Sequence, residues 1–170
     1  MASGGRVVLV VEDRYAKRAL ELLLGRRGLH CFMVLHLPVC SAKMTRIVSA
    51  HLRSGRRVVI LVDAELGRAS ERERSVREKH RLGGDVEVIA IDPCMEALAC
   101  TALGLRGCRD KPCNGGPVRA VNEYWRRIHR RDYEKRFLPQ LLLEADNAGS
   151  LEKVDEFRRL LGAVAKACRQ

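Results

Sequence analysis

Residues 57–65 read RVVILVDAE, and this stretch decides the fold. Val58 to Val62 is an unbroken run of five apolar, mostly β-branched residues with no polar position to turn toward water. Such a run is a strand buried on both faces, the signature of a parallel sheet. The same pattern opens the chain in RVVLVVED (6–13) and recurs in VEVIAID (86–92). A fourth strand, HCFMVLHL (30–37), ends at Pro38.

The segments between the strands carry helical spacing. Tyr15, Ala19, Leu22 and Leu23 recur on one face, with a stop near Gly25 or Gly28. Met44, Ile47, Val48, His51 and Leu52 form a second stripe, closed at Gly55. Arg68 to Arg81 has Val76 as its only large apolar residue, so this helix lies on the surface. Pro93 starts a run through Met95, Leu98, Ala99 and Ala102. Strands alternating with helices predict an α/β fold: a three-layer, Rossmann-like parallel sheet of about four strands with helices on both faces. The expected organisation is a flexible N-terminus (1–5), an α/β core (6–116) and a helical C-terminal extension (117–170) packed on it. The extension is read as helices at Pro117–His129 and Leu151–Val164, with nothing assigned between them.

The chain has 170 residues, 32 Lys+Arg against 21 Asp+Glu, and a formal net charge of +11. Much of the excess falls in two blocks, Leu66–Leu82 and Pro117–Arg136. Arginine dominates the basic residues, which favours bidentate contact with phosphate. The longest apolar runs are far short of the ~20 residues of a membrane span, and the first residues lack the ~7–15-residue apolar core of a secretion signal. A cytoplasmic protein that does not enter membranes is the expectation. Seven cysteines, an odd number, are read as free thiols rather than a disulfide framework. Cys108 and Cys113 are the one local pair considered, for a bridge or a zinc loop.

In an open parallel sheet the carboxyl ends of the strands form the functional edge. Glu12 and Asp13 follow the first strand, Asp63 and Glu65 the third and Asp92 the fourth, with Glu96 one turn beyond. Asp63 and Glu65, two apart in extended chain, are expected to project to one side. Helix capping accounts for single acids in such places. Three strands each followed by acids point further, to a cation held by oxygen ligands, and the donor type suits Mg²⁺ or Mn²⁺.

These motifs resemble the Toprim (topoisomerase–primase) domain, in particular the small Toprim-like proteins and the overcoming-lysogenization-defect type of nuclease. Val10-Val11-Glu12-Asp13 with Leu22-Leu23-Leu24 is similar to the family's first motif. Gly55 to Asp63-Ala-Glu65 resembles the strand ending in Asp-x-Asp. Asp92-Pro93-Cys94-Met95-Glu96-Ala97-Leu98 resembles the Pro…Ile-Glu-Ala-Trp-Leu motif, and Tyr133-Glu134-Lys135 the tail of the small members. The resemblance implies a nuclease with Glu12, Asp63, Glu65 and Glu96 as metal ligands for one or two ions. Lys135 would be a catalytic cation and Glu12 a ligand or a general acid/base. Arg126, Arg127, Arg130, Arg131 and Arg136, interleaved with Tyr124, Trp125 and Tyr133, would hold the backbone of DNA or RNA, in a possible homodimer.

Asp13 stands where the family motif has glycine, Ala16 where it has a later acid, and Glu65 where it has aspartate. The departures at Asp13 and Ala16 motivate a second reading, a Toprim-like module that binds nucleic acid or protein without turnover. A third comes from likeness to response-regulator receivers, with Glu12-Asp13 as the acidic pair, Asp63 as phosphoacceptor and Lys111-Pro112 as the lysine segment.

Overall fold

The computed structural model describes residues 5–169; residues 1–4 of the expected flexible N-terminus lie outside the described residues. Four strands, β1 (Val7–Val11), β2 (Phe32–His36), β3 (Arg57–Asp63) and β4 (Val86–Ile91), form one all-parallel sheet of order β2-β1-β3-β4. β1 is buried along its whole length, as is Val58 to Val62 of β3, because each lies between two strands and two helical layers. β2 is an edge strand, and only Val34 within it is buried.

Alternate residues feed different cores, as the two-residue repeat of a strand requires. Val7, Leu9, Val11, Val59, Leu61, Ile89 and Ile91 face α1 (Arg14–Gly25), α4 (Glu96–Ala102), α5 (Pro117–His129), α6 (Leu138–Gly149) and α7 (Asp155–Cys168). Val8, Val10, Val58, Ile60, Val62, Val88 and Ala90 face α2 (Ala42–Arg53) and α3 (Ala69–Lys79). The three-layer expectation is thereby met, with a helical C-terminal stretch on the α1 side. Val76 is the one buried residue of α3, as its polar sequence dictates. No helix among the described residues is long and apolar enough to cross a membrane.

The extension differs from its sequence reading in two ways. α6 occupies the stretch left unassigned; Pro139 sits at its start, and Leu138, Leu141, Leu142 and Ala145 make its buried face. Leu151–Lys153 is a short 3-10 turn, so the last helix begins at Asp155 and runs to Cys168. α6 packs closely on α4: a Cβ on Gly149 would lie 1.7 Å from the Ala102 carbonyl oxygen.

The cysteines also depart from expectation. Cys31 is bonded to Cys168, Cys94 to Cys113 and Cys100 to Cys108, leaving Cys40 free. Cys108 and Cys113 therefore do not pair with each other. The first bridge ties the end of α7 to the start of β2. The other two fasten the loop 104–116, which has little regular structure of its own, to α4 and the segment before it.

Candidate functional site at the carboxyl edge

From β1 the chain moves outward to β2 on one side, while β3 and β4 lie on the other. The strand order thus reverses between β1 and β3, and the crevice beyond the carboxyl ends at such a point is where open α/β sheets bind ligands. Glu12 and Asp13 follow β1, and Asp63 ends β3. A cavity of about 350 Å³ opens beside them, lined by Asp63, Glu65, Glu96 and Lys135 together with Pro93, Cys94 and Cys113. Four of the five residues expected to be catalytic share one wall system; Glu12 stands beside it.

Each acid is held differently. Glu12 accepts the Asp63 backbone N–H at 2.9 Å and lies 3.7 Å from Arg72. Burial pushes its pKa up, with the Asp63 N–H and Arg72 opposing. Asp13 caps α1 through Oδ1, which accepts the N–H groups of Tyr15 and Ala16 at 2.8 Å. Its other oxygen is 3.9 Å from Lys135 Nζ. Glu96, only 2% exposed, accepts Lys135 Nζ at 3.0 Å and the Tyr133 hydroxyl at 3.2 Å, both on Oε1. Asp63 has no hydrogen-bond donor to its carboxylate among the described residues. Burial raises its pKa to about 7; Lys135 opposes the shift, and Glu12, Glu96 and Asp13 add to it.

Lys135 is the counter-ion of the whole group. Burial would lower its pKa, but Glu96, Asp63 and Asp13 together outweigh that and raise it. Trp125 sets the position of this segment. It is fully buried, stacks on Phe137 at 5.3 Å and meets Tyr133 edge-on at 5.8 Å, which carries the Tyr133 hydroxyl to Glu96. That hydroxyl has its pKa raised by burial and by Glu96.

Three expectations change with this geometry. Glu65 does not continue an extended strand: its φ is +59° and its N–H bonds to the Pro93 carbonyl, so the chain turns immediately after Asp63. Both side chains still line the cavity. Asp92 is not a lining residue; it lies 3.2 Å from Lys111 Nζ, whose own hydrogen bond goes to the Gly67 carbonyl at 2.7 Å. Trp125 belongs to the core, so base stacking on it is not available. Among the basic residues, Arg126 pairs with Asp132, Arg136 pairs with Glu134, and Arg131 lies over the Phe137 ring at 4.3 Å. Arg127 and Arg130 lie at the end of α5, outside the cavity lining.

Arg72 and the Cys94–Cys113 bridge are the site features that sequence reasoning missed. Arg72 is one arginine among several on a polar helix, and no spacing marks it out. The carboxylates do not form a closed cage: among the described residues the only three donors within 4.8 Å of one another are Cys94, Glu96 and Cys113. Comparison of the chain with known protein families, with curated proteins and with solved structures returns no match.

Proposed function

We propose that the carboxyl edge carries out Toprim-like, metal-dependent phosphodiester chemistry on nucleic acid, as a nuclease. The observation behind this reading is Asp63: a half-buried carboxylate with a raised pKa and no donor among the described residues, at the strand-order reversal, beside Glu65 and Lys135 on one cavity. An acid at a cavity whose pKa is raised by its surroundings is a mark of functional sites.

Asp63 would hold Mg²⁺ or Mn²⁺, with Glu12 or Glu65 as a second carboxylate. A bound ion of this kind polarises a phosphate oxygen and activates water. Glu12 is steadied for this by the Asp63 N–H and Arg72. Glu96 acts as a positioning residue, since its Oε1 fixes Lys135 and Tyr133. Lys135 then presents an ammonium to a phosphate entering the cavity. The arginines of the α5 end supply non-specific backbone attraction, strongly dependent on salt.

The reading without turnover draws on one observation: Lys135 already neutralises part of the cluster. In the receiver-like reading Lys111 would face Asp63, whereas it pairs with Asp92. As to setting, we take the cytoplasm, although three disulfides are rare there outside hyperthermophiles. The test is cleavage of end-labelled single- and double-stranded DNA and RNA with Mg²⁺ or Mn²⁺. Cleavage by the wild type that disappears in Asp63→Asn supports the nuclease. Binding without cleavage under every condition overturns it in favour of the inactive module.

A further inference from the structure

The bridge between Cys94 and Cys113 borders the same cavity, and both residues line it. Cys100–Cys108 is buried away from it, and Cys31–Cys168 holds the end of α7. Glu96 lies against the Cys94–Cys113 sulfurs. Its Oε1 is satisfied by Lys135 and Tyr133, while Oε2 faces Cys113 Sγ at 3.9 Å. A disulfide sulfur carries no hydrogen, so this contact is not a hydrogen bond. Among the described residues nothing donates to Oε2, an oxygen of a side chain only 3% exposed. A buried carboxylate oxygen in that condition lacks a cation or a proton donor.

We propose that reduction of the Cys94–Cys113 disulfide creates a three-ligand site, Cys94 Sγ, Glu96 Oε2 and Cys113 Sγ, for Zn²⁺ or another thiophilic divalent cation. The three donors already lie within 4.8 Å of one another. Zinc–sulfur bonds of about 2.3 Å in tetrahedral geometry set two thiolates about 3.8 Å apart. The Cα atoms are 6.0 Å apart, and Cys113 starts the short Cys113–Gly115 turn, so the sulfurs have room to part that far. Three protein ligands, all from residues that line the cavity, leave a fourth position for water or substrate, the arrangement of a reactive zinc rather than a structural one.

The redox step balances with a dithiol as reductant. It transfers two electrons and two protons, becomes a disulfide itself, and leaves Cys94 and Cys113 as thiols. The entering cation displaces both thiol protons to solvent. Two thiolates and the Glu96 carboxylate then face one divalent ion, with the Lys135 ammonium shared among Glu96, Asp13 and Asp63. The site is soft and sulfur-rich, so it selects a different cation from the oxygen ligands proposed for Mg²⁺ on the same cavity.

The test reduces the full chain with dithiothreitol, checks its fold by circular dichroism and removes the reductant without air. Zn²⁺ is then titrated against a chromophoric chelator, in the absence of nucleic acid and Mg²⁺, so that failure leaves the phosphodiester reading standing. The reduced chain should take up one Zn²⁺ that the oxidised chain does not. Co²⁺ in its place should show thiolate-to-metal charge-transfer absorption. The double variant Cys94→Ser/Cys113→Ser should lose that ion, Glu96→Gln should bind it about 10–100-fold more weakly, and Cys40→Ser should bind it as the wild type does. A reduced chain that loses its fold, takes up no Zn²⁺, or keeps the ion in the double variant overturns the proposal. Equal affinity in Glu96→Gln removes Glu96 from the site and overturns it in this form.

Discussion

Two carboxylates in this molecule are both pushed upward by burial and end with opposite pKa shifts. Asp146, on α6, accepts Arg27 at 2.7 Å and the Leu151 N–H at 3.0 Å, with Arg26 at 3.8 Å. Burial alone would raise its pKa, but those partners outweigh it and hold the acid below its ordinary value. Arg27 also bonds the Leu23 carbonyl and Glu152 and lies over the Phe157 ring, so this group fastens α1, α6 and α7 together. Asp63 has a single nearby ammonium and no donor, and burial carries its pKa to about 7. An acid supplied with its own donors is a fastener. One held without them, on a cavity wall and with its pKa raised, is free to meet a ligand.

The comparison is broken or sharpened first by activity. Asp63→Asn should lower phosphodiester cleavage by about 100–1000-fold, as loss of a group that acts on the transition state does; an unchanged rate would make Asp63 another structural acid. Next in size, Asp146→Asn should destabilise the fold by about 1–3 kcal/mol, seen as a lower thermal midpoint, with activity per folded molecule intact. A neutral result there would remove the contrast from the other side.

Smaller and opposite in sign, Asp63→Asn should stabilise the chain by about 0.5–2 kcal/mol at pH 8. The direction follows from linkage. Asp63 has a raised pKa, so its contribution is full below 3.8 and is lost as pH rises through about 7. The gain from the substitution should therefore fade as pH is lowered toward 4. Asp146 has a lowered pKa, so its contribution is present above 3.8 and is lost as pH falls through its folded value. Thermal melts across pH 3–8 on both variants check the two slopes, and parallel slopes would contradict the distinction. Least of all, Arg126→Ala should leave stability unchanged and reduce the salt dependence of nucleic-acid binding by about one unit of slope.

The sheet could be read from the chain because five-residue apolar runs leave few alternatives, and its carboxyl edge followed. That Asp63 and Lys135 meet was available only through family resemblance, since 72 positions separate them and no local periodicity links them. α6 did carry a signal, with Leu138, Leu141, Leu142 and Ala145 at helical spacing behind Pro139. Gln140, Glu144, Asp146 and Asn147 between them dilute the stripe. The disulfides could not be read at all: bridges spanning 137, 19 and 8 residues share no spacing, and an odd cysteine hid the even set. Asp13 was ambiguous as a sequence and is resolved by geometry, being a helix cap with its free oxygen turned to Lys135.

Calorimetric titration of the oxidised protein with Mg²⁺ and with Mn²⁺, on wild type and on Asp63→Asn, tests the central claim most directly. The account predicts binding to the wild type in the micromolar-to-millimolar range and none to the variant. No binding to the wild type, or equal binding to both, would contradict it and leave Lys135 and Arg72 as the counter-ions of this edge.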